Sequence, residues 1–417
     1  MNSAVSPVKQ VNRIVLLDTL RGFAIFGILM VNFPIMFQPV TSVLLGSQSD
    51  GSILYNISEW FIKFFFEGKF YVIFSMLFGY GFWLFMNKKV DGGKSITPIF
   101  KRRLLFLFLF GALHVVLLWA GDILVYYTLF GFILLLLFRR VSDRGLIKWA
   151  IWIGAIPGVL ALLSAMMLEL ASVNPDVSTE IKVGFAERLA FLEGFNQKAI
   201  EMYSSGSFAE IISIRLTEYR MLLPGLLFFY PVVLSMFLVG FWAARRGLVS
   251  NYTNNIPFFR RVFWWGLVIG VATSMLYTIS FKHANPFIPG VWETINAVSH
   301  TLGGVFLGLC YVSAIILLHA NGRAGALIKL FAPVGRMALT NYIIHSIIAV
   351  ILFHSIGFGL FGKIELWHGV LLSFLIFALQ IPFSILWLRY FRFGPLEWLW
   401  RSLTYLKVQS FKQDRRP

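Results

Sequence analysis

His114 sits in an apolar stretch, and Asp122 follows eight residues later, across Trp119-Ala120-Gly121-Asp122. An imidazole beside a carboxylate is a proton-transfer pair: the carboxylate orients the ring, and the other ring nitrogen takes a proton from a hydroxyl or amine. A lone histidine among membrane helices also serves as a plain interhelical hydrogen bonder, and the residues alone leave both readings open. A second polar set is Arg336-Met337-Ala338-Leu339-Thr340-Asn341-Tyr342-Ile343-Ile344-His345. Asn341 and His345 are spaced i, i+4 and share one helix face, so they point into a bundle rather than toward lipid. His114, Asp122 and His345 form the candidate catalytic set.

Charge is also embedded near the start of the chain, in Asp18-Thr19-Leu20-Arg21-Gly22. The i, i+3 spacing lets Asp18 and Arg21 pair on one face. Asn32 lies eleven residues beyond Arg21, three turns along the same face. A pair that merely fixes helix register is the plainer account of Asp18 and Arg21. The functional account makes Asp18, Arg21, Asn32, Arg336 and Asn341 the substrate-binding candidates, with the two arginines meeting phosphate and the asparagines donating to a developing oxyanion. Glu67 and Lys69 are expected to form a surface pair at a helix entrance.

These residues need helices to hold them, and the composition supplies them. Hydrophobic residues are 58% of the 417, and only 13% are charged. A soluble core does not need that apolar excess, whereas membrane spans do. The pattern predicts an all-α polytopic bundle of about ten transmembrane helices, near residues 16–37, 70–86, 104–119, 123–138, 149–170, 222–243, 262–280, 295–318, 337–353 and 366–388. Residues 53–66 are ambiguous between an interfacial helix and the outer half of a bent second span. The chain reads as one transmembrane domain over 1–417. A long extracytoplasmic loop, 171–220, carries an amphipathic helix (Phe185, Leu189, Leu192, Phe195), and a basic tail occupies 389–417.

The net charge of +17 is distributed as a topology signal. With both termini inside, 27 of the 36 Lys and Arg fall in segments on the cytoplasmic side, as the positive-inside rule requires. Cysteine labelling from outside intact cells should therefore reach Asp176→Cys and miss Lys94→Cys; efficient external labelling of the latter would overturn this map. No basic stripe interleaved with stacking aromatics marks a nucleic-acid surface. A single cysteine, Cys310, excludes an internal disulfide framework. There is no Gly-Lys-Ser/Thr phosphate loop, no His-Glu-x-x-His and no Gly-x-Ser-x-Gly, so standard ATP-driven, zinc-hydrolytic and serine-elbow chemistries have no motif here, and no metal site is expected.

Several segments together resemble the YeiB-like bacterial membrane proteins, a family of unknown function. They are Leu17-Asp18-Thr19-Leu20-Arg21-Gly22-Phe23-Ala24, Phe74-Ser75-Met76-Leu77-Phe78-Gly79, His114 through Leu124, Gly335 through Tyr342, and the tail Phe393-Gly394-Pro395-Leu396-Glu397-Trp398-Leu399-Trp400-Arg401. The resemblance implies a bacterial plasma membrane. That family in turn looks like a distant relative of membrane acyltransferases that modify cell-surface sugars and begin with a similar Asp-x-x-Arg-Gly helix. In one branch of those a histidine stands eleven positions after the arginine, where this chain has Asn32, so His114 or His345 would take its role. The leading expectation is acyl transfer from a cytoplasmic thioester such as acetyl-CoA to an extracytoplasmic, lipid or sugar acceptor. The alternative is a secondary transporter or exporter in which Asp18, His114 and His345 make a proton pathway. The lipid bilayer is the one certain partner.

Overall fold

A lipid-facing backbone must satisfy its own hydrogen bonds, and a chain this apolar has helices as its economical solution. The structure, a computed structural model, describes residues 15–46, 52–88, 95–285, 290–322 and 325–413; Lys94 lies outside them. Among the described residues the long elements are all α-helices, and the only β-pairing is an isolated bridge between Phe391 and Lys412. In chain order they are α1 (Val15–Asn32), α2 (Ile53–Phe65), α3 (Lys69–Met86), α4 (Thr97–Leu117), α5 (Leu124–Ile133), α6 (Asp143–Ser172), α7 (Pro175–Ser205) and α8 (Phe208–Leu222). They continue as α9 (Leu226–Arg245), α10 (Ile256–His283), α11 (Val291–Ala320), α12 (Gly325–Arg336), α13 (Ala338–Phe353), α14 (Leu366–Tyr390) and α15 (Pro395–Tyr405).

The molecule is an all-α polytopic helical bundle. Among the described residues seven helical segments are long and apolar enough to cross a membrane, and an eighth results if the 80° bent pair Lys329–Arg336 and Ala338–Phe353 counts as one. The ten expected crossings also need α4 and the shorter apolar segment Leu124–Phe138. α6 shows the bilayer signature: Ile151, Trp152, Met167 and Leu170 are each two-thirds exposed or more, although the helix is strongly apolar. Such a face is stable against lipid and costly against water.

Gly68, at φ +86°, interrupts the helix between α2 and α3, and residues 53–86 taken together are long and apolar enough to count as one span. The break also changes the expected Glu67–Lys69 surface pair. Glu67 instead bonds Lys63 one turn earlier in the chain, at 3.1 Å, and accepts from the Tyr277 hydroxyl at 2.8 Å. Lys69 is buried, 1% exposed, and donates to the Lys63 carbonyl at 2.8 Å. A positive-φ residue between two side chains turns them apart, whereas i, i+4 neighbours stay aligned.

Close helix approach depends on glycine. A Cβ on Gly335 would fall on the Asp18 carbonyl oxygen, and one on Gly22 would fall on that of Phe331. α1 and α12 therefore touch backbone to backbone. α3 and α9 do the same through Gly79 and Gly240. α7 buries one stripe, Leu192, Asn196, Ala199 and Tyr203. α15 docks onto α4 and α13. Trp400 donates to the Arg103 carbonyl at 2.9 Å, and Glu397 accepts from the backbone of Leu339 and Thr340 at 2.7 and 3.1 Å.

Candidate functional site

α4 begins in the basic run Lys101-Arg102-Arg103 and ends at Leu117, so His114 lies in its last turn, toward the face opposite the basic residues. There the chain reverses within six residues and starts α5. Asp122 sits in that reversal. Its Oδ2 accepts from the Val125 backbone N–H at 2.8 Å, satisfying an orphan donor of the α5 start. Its Oδ1 lies 3.0 Å from His114 Nδ1. Both side chains are fully enclosed.

The other ring nitrogen, Nε2, lies 2.8 Å from Ser346 Oγ on α13, and that serine is 0% exposed. With the Asp122 carboxylate as acceptor the Nδ1 proton faces it, and in the neutral ring Nε2 then accepts from the Ser346 hydroxyl. The result is a buried Asp122–His114–Ser346 relay, the arrangement by which a hydroxyl is activated for attack on a carbonyl. Tyr342, one turn before Ser346, places its ring 5.2 Å from that of His114. Its hydroxyl is buried beside the Ile123 backbone N–H, and no acceptor for its proton is present among the described residues.

The other sequence candidates are not brought to this relay. His345 Nε2 meets Gln380 Oε1 of α14 at 2.9 Å. Asn341 donates through its amide to the Val334 carbonyl at 3.1 Å and to Ser384 Oγ at 3.2 Å. Arg336 donates to the Arg392 carbonyl at 3.3 Å. Asn32 ends α1, half-buried. Arg21 and Asp18 pair at 2.9 Å, with the aspartate 3% and the arginine 30% exposed. A lone buried charge costs more than a missing pair. Asp18→Asn/Arg21→Gln is therefore expected to yield more folded protein, by size-exclusion chromatography, than either single variant. A double variant worse than both singles would contradict the pairing account.

Sequence reasoning missed Ser346, because an isolated serine in an apolar helix carries no pattern. It also missed a second polar cluster above the relay. α8 buries Ile211, Ile214, Arg215 and Glu218. That i, i+3, i+4, i+7 spacing puts two charged residues on the apolar stripe, and it was a readable signal. Arg215 donates to the Val116 carbonyl at 2.7 Å and lies 3.4 Å from His354 Nδ1. Glu218 accepts from the Val40 N–H at 2.7 Å and the Tyr203 hydroxyl at 2.6 Å. These residues, with Gln38, Leu118 and Trp119, line a small cleft. Leu118 and Trp119 belong to the reversal that carries Asp122, so the floor of the cleft is the support of the relay.

Burial raises the Glu218 carboxyl to about 7, despite its hydrogen bonds to Tyr203 and to the Thr41 and Val40 backbone. The His354 imidazole is lowered to about 3, by burial and then by the Arg215 charge. The two act oppositely on stability. Folded Glu218 holds its proton where the unfolded carboxyl has lost it, so its contribution falls as pH rises from about 4.5 to about 7. His354 makes stability rise with pH over a window from about 3 to about 6.5. Subtracting Glu218→Gln melting temperatures from wild-type values isolates the first term. The difference should decline steadily across pH 4.5–7; a flat or rising difference would refute the assignment.

Residues 243–407 match the family described as "Protein of unknown function (DUF418)". Over 99% of its length the chain is 34% identical to all of the uncharacterised protein YxaH of Bacillus subtilis (strain 168). It is 30% identical to the uncharacterised protein YeiB of Escherichia coli (strain K12), covering 94% of this chain and 96% of that protein. An uncharacterised 39.9 kDa protein of Bacillus acidopullulyticus is 29% identical over 96% of both. No solved structure matches.

Proposed function

We propose, for a chain that belongs to the DUF418 family of YeiB-like membrane proteins of unknown function, that it transfers an acyl group within the bilayer of a bacterial plasma membrane. The observation that carries this reading is the enclosed His114, held by Asp122 on one nitrogen and facing the Ser346 hydroxyl with the other. A ring fixed by a carboxylate and aimed at a hydroxyl has the geometry of a general base.

In this reading an acyl thioester, with acetyl-CoA as the simplest case, approaches from the face carrying the basic residues. Arg21 and Arg336 stand at that end and suit the donor's phosphates. Ser346 is eight residues beyond Ala338, so the relay lies about 12 Å further along α13, a depth that suits a long thioester arm. The acceptor, a hydroxyl or amine, enters from the opposite face through the cleft of Arg215, Trp119 and Tyr203. His114 takes its proton as the carbonyl is attacked. Asp122 stabilises the imidazolium, and no other charge need move. Asn341 is committed to Val334 and Ser384, so the Tyr342 hydroxyl is the better-placed donor to the oxyanion.

A transporter would behave differently in one assay. Purified protein in nanodiscs is expected to be stabilised by acetyl-CoA, with a melting shift lost in Arg21→Gln/Arg336→Gln. No shift with acetyl-CoA, together with solute flux in proteoliposomes without any thioester, would replace acyl transfer by transport.

A further inference from the structure

We infer that Ser346 is itself the first acceptor: it carries the acyl group as a covalent ester between donor and final acceptor. The identity of the group rests on the acyl-transfer reading; the activation of the serine rests on geometry.

Serine and threonine in helices ordinarily turn their hydroxyls back to the carbonyl one turn earlier. This chain does so repeatedly: Thr128 bonds Leu124 at 3.0 Å, Thr273 bonds Ile269 at 2.6 Å and Ser373 bonds Gly369 at 2.8 Å. Ser346 does not. Its one hydrogen bond reaches across 232 positions of sequence to His114. A buried serine that gives up the local carbonyl for a distant imidazole is held by that imidazole, and the imidazole is held by a carboxylate. His114, if it served only to activate an external acceptor, would present Nε2 to an open space; here Ser346 occupies that direction. A second, independent feature is the Tyr342 hydroxyl. It is buried, has no acceptor for its proton among the described residues and sits on the same face of α13 one turn from Ser346. An unsatisfied buried donor is costly unless something arrives to use it. A tetrahedral oxyanion on Ser346 would.

The chemistry balances without any further reagent. Ser346 Oγ attacks the thioester carbonyl while His114 Nε2 takes the hydroxyl proton. The C–S bond breaks, and the imidazolium returns the proton to the leaving thiolate, giving free thiol and acyl-Ser346. The acceptor hydroxyl or amine then attacks the ester, His114 takes its proton, and the C–O bond to Ser346 breaks. His114 reprotonates the serine, and the new ester or amide leaves. The stored intermediate lets donor and acceptor use opposite faces at different times, so neither product nor donor need cross the membrane.

Fluorophosphonates react with serines activated in this way, whatever the natural substrate. The full-length protein in its native membrane should be labelled by a small alkyl fluorophosphonate, with the adduct on the peptide containing Ser346 by mass spectrometry. Labelling should be absent in Ser346→Ala and lowered about 10²-fold or more in His114→Ala. It should be unchanged in Ser373→Ala. Ser346→Cys provides a check independent of the alanine variant's folding: alkylation by iodoacetamide at that position should slow when His114→Ala is added. Failure of the wild type to label, or labelling at Ser346 that ignores His114→Ala, would overturn the inference. Labelling at Ser346 with no thioester turnover would keep the nucleophile and reject acyl-CoA as donor. Thioester turnover without labelling would keep acyl transfer and restore direct attack by the acceptor.

Discussion

His114→Ala is expected to cost some thermal stability, because the enclosed Asp122 then keeps only the Val125 N–H, while the protein still folds and acyl transfer falls about 10²–10⁴-fold, the range a positioned general base contributes. The effect should exceed that of either supporting group. Asp122→Asn keeps shape and a hydrogen bond but no longer fixes the tautomer, so its loss should appear as a lower rate at unchanged KM. A histidine that only joins helices predicts the stability loss alone: loss of its contacts costs about 1 kcal/mol of stability and little turnover. Thermal melting and turnover measured on one preparation separate the two, and wild-type turnover in folded His114→Ala protein would sink the catalytic role.

The largest structural effect is expected at Gly335. A Cβ there has no space, because the obstruction is the Asp18 backbone carbonyl rather than a flexible side chain. Overpacking with a movable neighbour costs about 1–3 kcal/mol; parting two helix backbones should reach about 3 kcal/mol or more. Gly335→Ala should therefore give little monodisperse protein, and what remains should melt far below wild type. Gly81→Ala is the matched control, since nothing lies within 4 Å of its Cβ position. Equal melting of the two variants would mean that α1 and α12 do not pack as described.

Much of this arrangement was legible in the sequence. Apolar runs of span length give helices because lipid leaves the backbone no other partner. His114 and Asp122 meet across a reversal so short that few other contacts are open to them. Asp18 and Arg21 pair because three residues of helix bring side chains to one face. The rest was hidden for identifiable reasons. Ser346 is remote in sequence from His114, and only side-chain contacts between α4 and α13 join them. Glu67 and Lys69 read as partners until a left-handed glycine turns them apart. Arg215 and Glu218 fall within the stretch read as a long extracytoplasmic loop; only the helical spacing with Ile211 and Ile214 puts them inside. His345 and Asn341 share a face as their spacing implies, but that face looks to α14, one residue's rotation away from the relay.

The central claim is that His114 moves a proton during acyl transfer between the two faces of a membrane. Sealed native vesicles oriented with the basic face outward, supplied with radiolabelled acetyl-CoA, test it most directly. Label should accumulate in hydroxyl- or amine-bearing material inside vesicles that contain wild-type protein, and His114→Ala vesicles should show about a hundredth of it or less. Equal accumulation in both, or none in the wild type, would contradict the claim.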